Sequence, residues 1–346
     1  MKKKRVIIGI IILVLLIITY IGLNYIKLSS VYSSQEVLQE KIYNMQFYLG
    51  GEIAGIKLLA TGVLVMGVED TTQSILNIGD IILKVNDEEI DTGAKLSQIA
   101  KNSNGAKLKL QISRNNSIFD VYITPRFDDT SSEYKLGLWV KDSTAGVGTI
   151  TFYEKTTSGF AALGHGVTET RENYILPITS GAITSTHIYN IKKGQAQSPG
   201  EIKGTISNNI LGEIYGNTDK GIYGTYFNLD TEGKQDIKIT PKTKIKEGKA
   251  YIFVTLEDGI KNKYEIEIEK VILTSNGNKN MIIKITDEEL LKKTGGIIQG
   301  MSGCPIVQDG NLVGAITHVL LNDATRGYGV FIENMIEDMI NIQSNV

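Results

Sequence analysis

Ser302 lies in Gly-Met-Ser-Gly-Cys-Pro, residues 300–305, and a serine between glycines in such a turn is equipped for acyl transfer. Gly300 and Gly303, with Gly296 behind them, supply backbone angles that a side chain forbids. The N–H groups of Gly300 and Ser302 can then converge beside the hydroxyl as an oxyanion hole, the donor pair that stabilises a tetrahedral intermediate. Pro305 fixes the exit into the apolar pair Ile306-Val307. The competing reading is an ordinary glycine-rich turn between strands, because a hexapeptide match alone is a weak signal.

A nucleophilic serine needs a base, and the chain has only three histidines. His165 ends the run Gly-Phe-Ala-Ala-Leu-Gly-His-Gly, whose small residues suit an imidazole held at the rim of a cleft. His187, in the alternating Thr-Ser-Thr-His-Ile-Tyr, reads as a surface histidine on a strand. His318 follows the serine by sixteen residues in Gly-Ala-Ile-Thr-His-Val-Leu-Leu, a strand of buried character. The base is usually oriented by a carboxylate, whose place in the chain order is not fixed. Asp219, Asp230, Asp236, Asp258 and Asp287 all fall between His165 and Ser302, and spacing does not choose among them. Asp287 carries a second signal, since Thr-Asp before the charged, helix-favouring residues 288–293 is also a helix start with aspartate as its cap.

The elements that must position these residues are mainly β. In 346 residues, 42% hydrophobic and with 36 glycines, short apolar runs alternate with glycine from residue 134 onward, a pattern of many strands and turns. An amphipathic ending, 332–342, reads as a closing helix. A formal charge of −2 gives no electrostatic case for nucleic acid. A single cysteine makes no internal disulfide, and the absence of a Cys/His cluster with zinc spacing disfavours a metalloenzyme, so no cofactor is expected.

At the N-terminus, Met-Lys-Lys-Lys-Arg (1–5) precedes residues 6–26, an uncharged apolar run long enough to span a bilayer as a helix. The cations in front place the tail in the cytoplasm and everything after Lys27 outside the membrane. The run is long for a signal peptide and ends in no Ala-x-Ala site, so an uncleaved anchor is expected, followed by a polar linker over 27–44. In the next segment, 45–127, Ile-Gly-Asp-Ile-Ile-Leu-Lys-Val-Asn-Asp-Glu-Glu-Ile resembles the signature of PDZ domains, which add an extended peptide to a sheet edge. On that resemblance Ile53, Ala54, Gly55 and Ile56 stand where the carboxylate-binding loop is expected, with Ala54 replacing a common glycine. A bound peptide segment, in trans or in cis, is the implied partner, and a plain spacer module is the alternative.

Four stretches carry a wider resemblance: Leu-Trp-Val-Lys-Asp-Ser-Thr-Ala-Gly-Val-Gly-Thr-Ile-Thr-Phe (138–152), Ala-Leu-Gly-His-Gly (162–166), residues 285–303, and Gly-Ala-Ile-Thr-His-Val (314–319). In them the chain resembles the SpoIVB peptidases, membrane-anchored serine proteases of endospore-forming bacteria. The resemblance implies a triad of His165, Asp287 and Ser302 and a chymotrypsin-like double β-barrel over 134–346. It further implies self-cleavage and cleavage of a membrane-bound regulator in the space between forespore and mother cell. That cleavage frees an intramembrane protease to activate a sporulation sigma factor. One position departs, since Cys304 stands where the family usually has serine. In that fold the strand carrying His318 commonly walls the specificity pocket, so a polar substrate preference is one expectation and a core histidine the other. The alternative function is a PDZ-containing scaffold with a dead peptidase domain, and the intact His165, Asp287 and Ser302 argue against it.

Overall fold

A computed structural model describes residues 20, 36–69, 75–114, 117–168, 175–195, 197–275 and 277–344. The chain divides into two compact units, Met1–Met45 and Gln46–Val346. In the first, residues 36–44 are helical. The tail at 1–5 and the anchor expected at 6–26 lie outside the described residues apart from Tyr20. Among the described residues no helix is long and apolar enough to cross a membrane.

The second unit begins with β1 (Phe47–Leu49) and β2 (Ile53–Val68), and β2 changes its role at Gly62. Before Gly62, Ala54, Ile56, Leu58 and Ala60 are buried at every second position, the period of a strand with one face on a core. After it, Val63 and Val65 enter a different core. Gly62 adopts φ +84°, and a Cβ there would meet the Ile82 carbonyl oxygen at 2.5 Å, so glycine alone permits the break.

A smaller module follows from the second half of β2. It holds β3 (Ile81–Val85), β4 (Glu88–Glu89), α1 (Gly93–Asn102), β5 (Leu108–Arg114), β6 (Ser117–Ile123) and the two-stranded pair β7 (Arg126–Asp128) and β8 (Glu133–Lys135). Val63, Ile82, Leu96, Leu110 and Ile112 build its core. Thr92 caps α1 by accepting the Lys95 N–H, and Leu96 and Ala100 turn inward one helical turn apart. The Asp80 of the Ile-Gly-Asp motif is buried, accepts two hydrogen bonds of 2.6 Å from Arg114 and one of 2.8 Å from the Asn77 N–H, and so ties the turn before β3 to β5. A buried carboxylate needs such partners.

β9 (Leu138–Glu154) then serves both parts. Its residues 138–141 pair with 64–68 of the module, and its residues 143–149 pair with 53–59. Residues 53–60, inside the range read from sequence as the PDZ domain, therefore lie between β9 and β11. Through β10 (Gly159–Ala162), β11 (Ile178–Lys192), β12 (Glu201–Thr218) and β13 (Gly221–Tyr226) the ladder runs β2, β11, β12, β13, β10, β9 and back to β2. Ile56, Leu58, Ile150, Phe160, Ile183 and Ile222 fill this circuit.

β14 (Asp236–Ile239) leads to β15 (Gly248–Glu257), β16 (Ile260–Val271), β17 (Met281–Ile285), α2 (Glu288–Thr294), β18 (Pro305–Gln308), β19 (Asn311–Leu320), β20 (Asp323–Phe331) and α3 (Ile332–Gln343). A second circuit runs β15, β16, β17, β20, β19, β18 and back to β15. Ile252, Ile266, Ile283, Ile306 and Ile316 are among its core. α3 falls where the amphipathic ending was read, and it buries Met335, Ile336, Met339 and Ile340.

Candidate active site

The turn that carries Ser302 is built by glycines in the left-handed region: Gly295 at φ 72°, Gly296 at 139°, Gly300 at 100° and Gly303 at 92°. Gly295 ends α2 and starts the turn. At Gly303 a Cβ would lie 2.0 Å from the Thr149 carbonyl oxygen, so no side chain fits. β9 pins the turn from beneath. The Thr149 N–H donates to the Ser302 carbonyl at 3.0 Å, the Thr149 hydroxyl to the Gly300 carbonyl at 2.7 Å, and the Thr151 hydroxyl to the Gly303 carbonyl at 2.8 Å. Residues two apart on a strand share a face, which is why both threonines reach the same turn. β19 holds the other side, with the Gly303 N–H on the Ile316 carbonyl at 2.8 Å. Among the described residues no acceptor takes the N–H of Gly300 or of Ser302.

His165 follows two left-handed residues, Leu163 at φ 69° and Gly164 at 67°, which turn the chain sharply out of β10. Its Nδ1 lies 2.9 Å from the Gly166 carbonyl. A carbonyl only accepts, so Nδ1 carries the hydrogen and Nε2 of the neutral ring is left as an acceptor. Burial pushes the His165 pKa below its usual value, outweighing the Gly166 hydrogen bond that raises it. The ring is therefore neutral at neutral pH, as a general base must be. His165 and Ser302 border one cavity of about 760 Å³, with Gly300, Gln299, Glu201 and Lys203 also on its walls. The Ser302 hydroxyl donates to the Thr317 carbonyl at 2.9 Å.

The remaining residues named from sequence divide. Asp287 caps α2: its Oδ1 accepts the Leu290 N–H at 3.0 Å and its Oδ2 the Glu265 N–H at 3.3 Å. Neither oxygen is bonded to His165. His318 is exposed and so is not the core histidine expected; its ring centroid lies 4.6 Å from that of His165 at an interplanar angle of 35°, and it does not border the cavity that Ser302 shares with His165. His187 contacts Asp258 at the surface. Cys304 is fully buried under the turn, its Sγ 3.5 Å from the Thr149 hydroxyl, and burial pushes its thiol up to about 12. Ile53, Ala54, Gly55 and Ile56, expected as a carboxylate-binding loop, form the start of β2 and are paired with β9, and Gly55 and Ile56 with β11 as well. That is a correction: ladder pairing on two sides leaves Gly55 and Ile56 no free edge to which a peptide could add.

Thr149, Thr151 and Thr317 escaped the sequence reading. Their signal was the Thr-Ile-Thr alternation beside a small-residue run and the threonine next to His318. What makes Thr149 and Thr151 matter is a partner about 150 positions away, which no local pattern displays, while the Thr317 carbonyl meets Ser302 across the turn between β18 and β19.

Three solved structures are similar to the chain over part of its length. The chain is similar to the PDZ domain of the SdrC-like protein from Listeria monocytogenes, at 18% identity over 23% of this chain and 87% of that one, with a TM-score of 0.22. It is similar to the Rv3671c protease of M. tuberculosis H37Rv in its inactive form, at 11% identity over 57% and 84% of the two chains, TM-score 0.32. The HtrA-type protease AlgW with decapeptide matches at 9% identity over 85% of this chain and 65% of that one, TM-score 0.32. No curated protein matches. The family model described as SpoIVB peptidase S55 matches residues 132–336, a span that holds both Ser302 and His165. Since that span is more than half of the chain, the protein belongs to the SpoIVB peptidase family and is a serine peptidase.

Proposed function

We propose that the chain is an endopeptidase in which Ser302 attacks and His165 moves the proton, on a pair of six-stranded barrels of chymotrypsin-like type. One observation carries this: Ser302, His165 and Gly300 border a single cavity, with two N–H groups of the turn unclaimed. The Ser302 hydroxyl swings from the Thr317 carbonyl toward the cavity and adds to the scissile carbonyl carbon, while Nε2 of His165 takes its proton. The Gly300 and Ser302 N–H groups hold the resulting oxyanion. The Gly166 carbonyl, on Nδ1–H, steadies the imidazolium. Nε2 then protonates the leaving amine, and water repeats the sequence on the acyl-enzyme. Asp287 acts in this scheme as the cap of α2.

The substrate reading rests on the resemblance of residues 138–152, 162–166, 285–303 and 314–319 to the family. On that ground the protein, held by an anchor at 6–26 with its catalytic part outside the cytoplasm, cuts itself and a membrane-bound regulator in a sporulation pathway. The smaller module is read as PDZ-like and binds a peptide segment. The test is intact-mass analysis of the full chain in detergent, as wild type and as Ser302→Ala. Fragments in the wild type alone are expected, and equal fragmentation of both chains would remove Ser302 from the chemistry.

A further inference from the structure

His318 has no part in the scheme above, yet the fold takes trouble to place it. Between β19 and β20 the register runs Ile316 opposite Gly329 and then Val319 opposite Gly327, so β19 carries one extra residue at Thr317–His318. Such a bulge re-aims side chains and recurs beside active sites. Gly327 makes room for it, since a Cβ there would lie 2.5 Å from the His318 carbonyl oxygen. The bulge sends the two residues in useful directions. Thr317 offers its carbonyl to the Ser302 hydroxyl at 2.9 Å, and His318 lays its ring on His165 at 4.6 Å between centroids.

His165 needs that second support. Among the described residues its ring makes one hydrogen bond, to the carbonyl of its own neighbour, Gly166, and no carboxylate among them is bonded to it. A carbonyl from the adjacent residue moves with the histidine, so it selects the tautomer without fixing the ring against the rest of the site. A ring packed on its face from a different strand does fix it.

We propose that His318 is a positioning residue for the general base: its ring, set by the β19 bulge, holds the His165 imidazole in place and keeps water from one of its faces. This rests on the reading of His165 as the base. The charged groups near the pair are Lys279, from the segment before β17, and Glu201 and Lys203, which share the cavity wall with His165. Desolvation, then His165 and Lys279, push the His318 pKa down to about 4. Both rings are therefore uncharged at neutral pH, and the stack needs no proton. Deprotonated Nε2 persists to lower pH than in an open histidine, because the charged form lacks water on the covered face.

Two substitutions separate this role from a specificity role. His318→Ala removes the ring, and His318→Phe keeps a flat ring without nitrogens. Titration of His165 by NMR in the full chain, with Ser302→Ala as background to prevent self-cleavage, should show its pKa rising toward the usual histidine range in His318→Ala and staying low in His318→Phe. With Ser302 present, turnover of a peptide library by His318→Ala should fall roughly 10- to 100-fold in kcat with KM little changed. The acidic limb of its pH profile should move up, and His318→Phe should recover most of the loss. Identical titration of His165 in wild type and His318→Ala overturns the proposal, as does a change of side-chain preference with no change in that titration. The titration reads the proposal without turnover, so failure of Ser302 as nucleophile would show separately, as cleavage that survives Ser302→Ala.

Discussion

Thr149→Val tests how far β9 sets the turn that carries Ser302. Valine matches threonine in shape but not in its hydroxyl, so the buried bond of 2.7 Å to the Gly300 carbonyl disappears without a cavity. An unsatisfied buried acceptor costs about 1–3 kcal/mol. For a large domain that converts at roughly 2 °C per kcal/mol, a fall in Tm of about 2–6 °C. The catalytic effect should be larger than the stability effect. Gly300 sits at φ 100°; the peptide that carries its N–H is held through the Gln299 carbonyl by the Ile202 N–H at 2.9 Å, and the Thr149 hydroxyl holds the next peptide through the Gly300 carbonyl, so losing that hydroxyl frees rotation about Gly300 from one side. Complete removal of one oxyanion donor costs about 100- to 1,000-fold in kcat. A donor that is loosened but present should cost less, about 10- to 100-fold, with KM nearly unchanged because the contact forms in the transition state. Thermal melts and steady-state kinetics of the full chain read both numbers. Thr149→Ser, which keeps the hydroxyl, should stay close to wild type in kcat. If Thr149→Val melts and turns over like wild type, the threonine does not hold the turn.

Two further substitutions address the residues beside the turn. Asp287→Asn should keep activity within a few-fold, since asparagine still caps the helix through its amide oxygen, at a small cost in stability because its NH2 cannot accept the Glu265 N–H. Asp287→Ala should cost about 1 kcal/mol in a denaturant melt. A loss of about four orders of magnitude in kcat for Asp287→Asn would instead make it the acid that orients His165. Cys304→Ser should turn over within a few-fold of wild type, because the thiol is buried and stays protonated with its pKa at about 12. Mass analysis after iodoacetamide should show no label on the native chain, and labelling as fast as in denaturant would place the thiol within reach of solvent.

The parts of the site that sequence made legible are those whose physics is local. Gly300 and Gly303 announce a turn that only glycine can make, and both hold positive φ. Gly164 before His165 works in the same way. Asp287 displayed one local signal, a helix start, beside a triad role that only the resemblance implied, and its hydrogen bond to the Leu290 N–H, three residues along the chain, follows the local one. What local pattern could not fix is which strand a segment joins. Residues 53–56 read as a loop by analogy, yet Ala54, Ile56, Leu58 and Ala60 already alternate as a half-buried strand does, and a partner 90 or more positions away claims them.

That choice of partner changes what the peptidase part is. The first circuit closes only through β2, which pairs with β9 on one side and β11 on the other. A polypeptide beginning at residue 134 contains β9 and β11 but not the strand between them. It would leave two long edges unpaired and Ile150 and Ile183 without the Ile56 and Leu58 that pack with them. The same β9 also completes the module's sheet at 138–141 and holds the nucleophile turn through Thr149 and Thr151. Module and catalytic turn are therefore built on one continuous strand, and the order in the sequence, a binding module first and a peptidase after it, does not describe how the chain divides.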